Sequence, residues 1–229
     1  MPAAREIMRL VTPMTGAAPI LGVTGPPGAG KSTLVDGLTV SYRRQGMKVG
    51  IIAVDPSSAF SGGAVLGDRI RMQRHSADEG VFIRSMATRG HFGGLASATV
   101  DVTDLMAASG CDVVIIETVG VGQDEVDVVR VADAVLVVLV PGLGDDIQTI
   151  KAGIMEIPDI FVLNKADREG IDRLHTDVKA MLGLLDQPGR EPPAIVRTVA
   201  TSHDGIEQLH AMIEGFLSAR GADAAMRRR

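Results

Sequence analysis

Short runs of branched aliphatic residues alternate with longer amphipathic stretches along most of this 229-residue chain. This alternation is typical of a parallel β-sheet whose two faces are covered by helices. The predicted strands are Ile20–Thr24, Val49–Val54, Val81–Ser85, Val113–Glu117, Ala134–Val140, Ile160–Asn164 and Ala194–Val199. The predicted helices are Lys31–Gln45, Asp68–Ser76, Leu95–Ala108, Asp146–Met155, Arg168–Leu184 and Gly205–Ser218. The pattern therefore predicts an α/β fold with a mainly parallel central sheet of about seven strands.

The chain is expected to form one domain, because no internal repeat and no linker rich in Pro or Ser divides it. We expect a short helix and loop over residues 1–18, the α/β domain over 19–219 and a frayed basic tail over 220–229. Since 45 % of the residues are hydrophobic, a chain of this length can bury a large core.

Charge and composition exclude several classes of function. The net charge of −5 disfavours sequence-independent binding to nucleic acid. The longest aliphatic run, Ala134–Val140, is far shorter than the roughly 20 residues that cross a bilayer. The single cysteine, Cys111, and a start without the apolar core of a secretory signal predict a soluble cytoplasmic protein with no membrane partner.

The segment Gly25–Ser32 has the sequence Gly-Pro-Pro-Gly-Ala-Gly-Lys-Ser and lies between a predicted strand and a predicted helix. It matches the phosphate-binding loop (P-loop) of P-loop NTPases, in which backbone N–H groups and a helix N-terminus surround nucleotide phosphates. Lys31 would reach the β- and γ-phosphates, and the Ser32 hydroxyl would bind Mg²⁺. The predicted nucleotide-binding residues here are Gly25, Gly28, Ala29, Gly30, Lys31, Ser32 and Thr33.

A second motif, Asn164-Lys-Ala-Asp, follows the sixth predicted strand and indicates which base is bound. The Asp167 carboxylate can accept hydrogen bonds from guanine N1–H and the 2-amino group, and adenine has neither donor there. We therefore expect GTP rather than ATP, with Asn164 and Lys165 also contacting the nucleotide. The segment Thr201-Ser202-His203 could donate backbone N–H groups to the guanine carbonyl, and the alternative is a plain N-terminal cap of the last helix by Ser202 or Asp204.

Three acidic residues are predicted at the edge of the sheet where ligands bind. Glu117 ends the predicted strand Val113–Glu117, Asp55 closes the second strand, and Asp68 opens a helix after Gly67. A P-loop enzyme holds Mg²⁺ or its water ligands at this edge. Each carboxylate has an alternative interpretation as a helix cap or turn residue.

Seven segments occur in an order that is found in one family: Gly25–Thr33, Asp55–Ser58, Gly67–Met72, Arg89–Gly94, Glu117–Gln123, Pro141–Asp146 with Lys151, and Asn164–Asp167. Over roughly Ile20 to Phe216, the chain resembles the MeaB/ArgK-type P-loop GTPases, which are metallochaperones of adenosylcobalamin-dependent acyl-CoA mutases. The combination of Asp-Pro-Ser-Ser with Glu-Thr-Val-Gly-Val-Gly-Gln is specific, and nickel-insertion GTPases of the same class lack it.

The resemblance implies roles for further residues. The magnesium shell would contain Asp55, Asp68 and Glu117 with Ser32. The second switch loop of the family would include Gly120 and Gln123. The third switch, which carries the signal of the mutase to the nucleotide site, would contain Asp145, Asp146, Gln148 and Lys151.

The catalytic residues implied by the resemblance are Lys31, Arg71, Gln123, Asp145 and Lys151. Arg71 and Lys151 are candidates for the positive charge that neutralises the γ-phosphoryl group in the transition state. That charge is worth about 10³–10⁵ in rate when an arginine finger supplies it. Without the resemblance, both residues are equally well explained as exposed helix residues.

The implied activity is Mg²⁺-dependent hydrolysis of GTP to GDP and phosphate, slow alone and stimulated by the partner mutase. The protein would act as a chaperone that gates adenosylcobalamin loading or reactivation of the mutase. Cobalamin would bind only to the partner, because the chain lacks an Asp-x-His-x-x-Gly motif. Since the C-terminal dimerisation arm of longer relatives is not expected here, the protein would be a monomer or a nucleotide-dependent homodimer.

One position departs from the family pattern, because Asp124 stands where the family usually has Ser and adds a carboxylate beside Gln123. The alternatives to the GTPase chaperone are a P-loop kinase for a small molecule, a different metallocentre-assembly GTPase, and an interaction module in which nucleotide only orders the loops. Nucleotide preference and turnover separate these alternatives.

Overall fold

The computed structural model describes residues 2–11, 18–55, 73–75, 77–87, 94–118, 131–142, 158–184 and 192–227. Within these residues, seven parallel strands form one sheet. The strands are β1 (Ile20–Thr24), β2 (Val49–Asp55), β3 (Val81–Ala87), β4 (Val113–Thr118), β5 (Ala134–Leu139), β6 (Ile160–Asn164) and β7 (Ala194–Thr198). The helices are α1 (Pro2–Val11), α2 (Lys31–Arg44), α3 (Gly94–Ala108), α4 (Ile171–Leu184) and α5 (Ile206–Arg227), with a short 3₁₀ turn over Gln73–His75.

The strand order β3-β2-β4-β1-β5-β6-β7 puts β1 at the point where the order of the strands reverses. β1 pairs with β4 on one side and with β5 on the other. In open parallel sheets, ligands bind beyond the carboxyl ends of the strands at such a point. The loop after β1 therefore lies where the fold itself favours a binding site.

Both faces of the sheet are buried, which explains the nearly continuous aliphatic sequences of its central strands. On one face, Val113 and Ile115 of β4 pack in a cluster with Leu34 of α2 and Leu209 of α5. The alternate residues of β4 contribute to the opposite face, where Met106 of α3 belongs to the same cluster. A third cluster joins β5 and β6 to α4. The sheet is thus the middle of three layers.

The predicted α/β fold is confirmed, and β1 and β6 have the predicted bounds. Most of the helix predicted over Asp68–Ser76, and all of the one over Asp146–Met155, lie outside the described residues. The predicted start of α4 at Arg168 is wrong: the helix begins at Ile171, after Gly170 in the left-handed region at φ 90°.

The predicted end of the last helix at Ser218 is also wrong, because α5 continues to Arg227 through part of the expected frayed tail. Arg220 holds this region to the sheet by donating to the Asp133 carbonyl at 3.0 Å and to Asp159 Oδ1 at 3.4 Å. The division of the chain into an extension, a domain and a tail stays a prediction. None of the described helices is long and apolar enough to cross a membrane.

Candidate nucleotide site

The loop between β1 and α2 has the backbone shape that its glycines permit. Gly25, Gly28 and Gly30 all have positive φ, at 136°, 76° and 91°, where other residues are strained. Gly25 also lies against β5, since a Cβ atom there would be only 2.2 Å from the Val138 carbonyl oxygen. Glycine at position 25 is therefore required by both conformation and space.

Lys31 begins α2 and is 6 % exposed. Its Nζ donates to the carbonyl oxygens of Gly25 at 2.8 Å and Pro26 at 3.0 Å. The ammonium group thus lies against the backbone of the loop that the P-loop motif predicts to surround phosphate. Phosphate oxygens are stronger acceptors for such a donor than neutral carbonyl groups.

Ser32 and Glu117 meet although they are far apart in the sequence. The Ser32 hydroxyl donates to Glu117 Oε1 at 2.6 Å, and the two residues are 7 % and 4 % exposed. The contact follows from the pairing of β1 with β4, which brings the end of β4 beside the start of α2. Hydroxyl and carboxylate oxygens are hard donors of the kind that Mg²⁺ prefers, so this pair fits a magnesium site.

The described part of the chain contains no group of three or more His, Cys, Asp or Glu residues that could hold a metal. Mg²⁺ is usually held by one or two carboxylates together with substrate phosphates and water. Asp55 ends β2 at the same edge of the sheet, since Val54 is paired with Thr118; its side chain is not described. Asp68 lies outside the described residues.

Asn164 connects the predicted phosphate-binding loop with the predicted base-binding segments. Its Nδ2 donates to the Ala29 carbonyl at 2.8 Å. Its Oδ1 accepts from the Ala200 backbone N–H and from the Thr198 hydroxyl, both at 3.1 Å. The amide is buried, and its hydrogen bonds tie the P-loop to the loop after β7. The sequence motif predicts only a nucleotide contact for Asn164, because its spacing does not identify either of the two loops that Asn164 contacts.

The next residues of the motif extend this connection towards the surface. Lys165 has a positive φ of 57°, and its Nζ donates to the Gly28 carbonyl at 2.8 Å. Asp167 is exposed, as a carboxylate that receives a base from solvent must be. Asn164, at the start of the motif, is therefore fixed by buried hydrogen bonds, whereas Asp167, at its end, is exposed to solvent.

The loop after β7 is also exposed at Thr201 and Ser202. The Ser202 hydroxyl donates to the Val199 carbonyl at 3.2 Å, and its backbone N–H donates to the same oxygen at 3.0 Å. The Ser202 side chain is therefore turned back into its own loop and does not cap α5, while the alternative cap by Asp204 stays a prediction.

A pair of buried hydroxyl groups below the P-loop was not predicted from the sequence. The Thr118 hydroxyl donates to Thr24 Oγ1 at 3.0 Å, and joins the ends of β4 and β1 next to Glu117 and Gly25. No spacing rule could have paired them, because they are brought together only by the strand order. The remaining candidates lie outside the described residues: Arg71, Gly120, Gln123, Asp145, Asp146, Gln148 and Lys151.

Comparison with known proteins decides the family. A family model described as methylmalonyl-CoA mutase-associated GTPase MeaB matches residues 1–229. The chain belongs to this family. The resemblance found in the sequence motifs is thus confirmed.

Relatives of this MeaB-family chain occur in archaea, bacteria and animals. A Pyrococcus abyssi protein is 61 % identical over 209 residues, which are 90 % of this chain and 64 % of that protein. GTPase ArgK of Escherichia coli is 39 % identical and is matched over 91 % of this chain and 65 % of its own length. The mouse methylmalonic aciduria type A homolog is 37 % identical, over 90 % of this chain and 52 % of that protein. The chain thus spans less than two thirds of each of these three relatives.

Solved structures agree with the fold. A structure described as a LAO/AO transport system kinase has a TM-score of 0.77 and 32 % identity, over 98 % of this chain and 68 % of that one. HypB from Helicobacter pylori, solved with nickel, has a TM-score of 0.63 at 19 % identity, over 93 % of this chain and 92 % of that one. The HypB likeness shows a shared fold and nothing about shared chemistry. Together with the strand order, these structures confirm the P-loop NTPase fold class.

Proposed function

We propose that this MeaB-family protein is a Mg²⁺-dependent GTPase that acts as a chaperone of an adenosylcobalamin-dependent acyl-CoA mutase. The observation that carries the GTPase part is the direct connection between the P-loop and the guanine motif. Asn164 Nδ2 donates to the Ala29 carbonyl and Lys165 Nζ donates to the Gly28 carbonyl, both at 2.8 Å. A base held at Asp167 and phosphates held at Lys31 would therefore belong to one molecule.

The same residues support hydrolysis. Lys31 would exchange its two carbonyl partners for oxygens of the β- and γ-phosphates, and its charge would stabilise the negative charge that develops on them. Ser32 and Glu117 would hold Mg²⁺, which when bound neutralises phosphate charge. Hydrolysis is expected to be slow in the free protein, because Gln123, Asp145 and Lys151 are proposed to reach their catalytic positions only with the partner bound.

The partner is proposed from the family. The description of the family model names methylmalonyl-CoA mutase, and the mouse relative carries the name of methylmalonic aciduria. We propose an acyl-CoA mutase as the partner, with cobalamin bound by that mutase alone. The cytoplasmic location and the state as a monomer or a nucleotide-dependent homodimer are parts of the same proposal.

A kinase for a small molecule is the second candidate, since the solved structure at 32 % identity is described as a kinase. A kinase would use Lys31 and Ser32 in the same way but would transfer the γ-phosphoryl group to an acceptor instead of water. The guanine motif favours the GTPase, because Asn164 links it to the P-loop through a buried hydrogen bond.

Phosphate release from GTP and from ATP tests the GTPase proposal. We expect the wild-type protein with Mg²⁺ to release phosphate from GTP without any acceptor and to discriminate against ATP by orders of magnitude. Lys31→Ala should abolish turnover or tight GTP binding, whereas Lys179→Ala, on the exposed side of α4, should match the wild type. Equal use of GTP and ATP, or an unaffected Lys31→Ala variant, would contradict the proposal.

Addition of a purified acyl-CoA mutase tests the partner separately. We expect saturating mutase to raise the turnover of GTP, because a partner is needed to order the catalytic loops. A turnover that is fast alone and unchanged by the mutase would contradict the chaperone role and leave the GTPase activity standing.

A further inference from the structure

The two buried hydroxyl groups at the ends of β1 and β4 are not explained by packing. Thr24 is 0 % exposed and Thr118 is 1 % exposed, and the Thr118 hydroxyl donates to Thr24 Oγ1 at 3.0 Å. Valine has nearly the same shape as threonine and is as well suited to a strand. A buried hydroxyl group, in contrast, costs free energy unless it is hydrogen-bonded. The pair therefore calls for an explanation other than burial of apolar surface.

The hydroxyl pair lies at the point where the backbone pairing of β1 with β4 ends. Val23 and Glu117 are the last partners in the register of these two strands. Thr24 and Thr118 are the next residues of each strand, and Gly25, with its positive φ of 136°, then begins the P-loop. The hydrogen bond between the hydroxyl groups thus joins β1 to β4 one residue beyond their register, directly before the P-loop.

The end of β4 is held by hydroxyl groups on both faces of the sheet. Glu117 points to the face that α2 covers, where its Oε1 accepts from the Ser32 hydroxyl at 2.6 Å. Successive side chains of a strand point to opposite faces, so Thr118 lies on the other face, to which Ile116 also contributes. The bond between Thr118 and Thr24 therefore holds the end of the strand without using either group of the proposed magnesium site.

This arrangement fixes the backbone from which the Glu117 carboxylate extends. Glu117 is bounded by its pairing with Val23 on β1 and by the hydroxyl bond of Thr118 immediately after it. A shift of the end of β4 would move the carboxylate relative to Ser32, its hydrogen-bond partner. Mg²⁺ demands a nearly ideal octahedral arrangement of ligands at about 2.0–2.1 Å, so a site for this ion tolerates such a shift poorly.

We propose that Thr24 and Thr118 are positioning residues for the magnesium site, whose hydroxyl bond holds the end of β4 at the P-loop and thereby sets the place of Glu117 beside Ser32. The proposal rests on the proposed Mg²⁺-dependent GTPase function. Neither threonine is expected to touch the metal or the nucleotide, and both act through the position of Glu117.

The test separates positioning from stability by comparing Thr118→Val with the double variant Thr24→Val/Thr118→Val in the full chain. The single variant leaves the buried Thr24 hydroxyl without its donor, so its thermal midpoint should fall. The double variant replaces both partners by apolar groups of the same shape and should recover most of that midpoint.

The readout of positioning is the concentration of magnesium chloride that gives half of the Mg²⁺-induced gain in affinity for fluorescent GDP. We expect this concentration to rise about tenfold in both variants, because loss of the groups that orient a metal ligand typically costs about 10–100-fold in metal affinity. Affinity for GDP in EDTA should match that of the wild type, since Lys31 and the P-loop glycines are unchanged.

Two further variants serve as controls and should keep the Mg²⁺ dependence of the wild type. Thr118→Ser retains the hydroxyl donor. Thr103→Val removes a hydroxyl group of similar burial on α3, where Thr103 is 3 % exposed and donates to the Thr99 carbonyl at 2.7 Å. A double variant with the Mg²⁺ dependence of the wild type would overturn the proposal, as would a loss in either control that equals that of Thr118→Val.

Failure of the proposed function would look different. If Mg²⁺ did not raise the affinity of the wild-type protein for GDP, the proposed magnesium site would be wrong, and the role of the threonine pair with it. A wild type that responds to Mg²⁺, together with an unaffected double variant, would overturn the role of the pair alone.

Discussion

At the scale of single residues, Asn164 shows how a motif residue takes on a role that its motif does not state. The Asn164-Lys-Ala-Asp segment predicts guanine binding, yet the Asn164 amide is buried and makes three hydrogen bonds within the protein. It connects the P-loop to the loop after β7, while Asp167 is exposed. Within one motif, Asn164 is thus a structural link, and Asp167 stays the predicted contact to the base.

Asn164→Ala should therefore weaken binding of every nucleotide, whatever its base. The substitution leaves the Ala29 carbonyl and the Ala200 N–H without their partner, and each buried group left in that state costs about 1–3 kcal/mol. Titration with GDP and with XDP should show losses of similar size, and chemical denaturation should show a lower free energy of unfolding. A selective loss of GDP would mean that Asn164 acts on the base itself.

Asp167→Asn should change which base is preferred. The amide offers a donor where xanthine has a carbonyl group and guanine has a donor, so the preference should shift from GDP to XDP. Because Asp167 is exposed, the free energy of unfolding should stay within about 0.5 kcal/mol of the wild type. Unchanged discrimination between the two nucleotides would place base recognition elsewhere.

At the scale of secondary-structure elements, the packing of α5 on α2 is held by a buried polar cluster. The Ser41 hydroxyl donates to Glu207 Oε2 at 2.9 Å and lies 2.7 Å from His210 Nδ1. A hydroxyl has one proton to donate, so the ring must donate from Nδ1 to Ser41. The His210 ring is also 4.0 Å from that of Tyr42, centroid to centroid. The helix after β7 is thereby fixed to the helix after the P-loop.

His210→Ala should lower the free energy of unfolding by about 2–4 kcal/mol. It removes a 1 % exposed ring, leaves a cavity and deprives Ser41 of a partner. Gln208→Ala, on the exposed side of the same helix, is the control and should have little effect. Equal midpoints of denaturation for the two variants would show that the cluster does not stabilise the contact between α2 and α5.

At the scale of the whole molecule, the proposed switch depends on loops that a partner would order. Lys151 lies outside the described residues, and its role was predicted from the family resemblance. A cation that arrives only with the partner stabilises the transition state without tightening binding of GTP in the ground state. Under the proposed switch, basal and stimulated hydrolysis would therefore depend on different residues.

Lys151→Ala should leave GTP affinity and basal hydrolysis nearly intact while most of the stimulation by the mutase is lost. Turnover measured with and without saturating mutase checks this expectation. Full stimulation of the variant would mean that Lys151 only covers the apolar surface of its predicted helix. The predicted third switch would then not supply the transition-state charge.

The sequence by itself determined the sheet, most of the boundaries of its strands, and the P-loop, because each depends on neighbours along the chain: alternating hydrophobic runs, and glycines at turns. It did not determine the start of α4 or the end of α5. Gly170 lies in the left-handed region just before α4, so the helix begins only at Ile171, whereas Gly221 lies within α5 and does not end it, because a helix interior tolerates a glycine at a cost of about 1 kcal/mol.

Only the tertiary structure decided which groups meet across the sheet. Ser32 with Glu117, Thr24 with Thr118, and Asn164 with Ala29 are each brought together by the strand order and the register. Asp36 with His75 likewise depends on how the turn before β3 docks on α2. Hydrogen bonds and ion pairs act over a few ångströms of space, so residues distant in sequence become partners only once the packing of the elements is known.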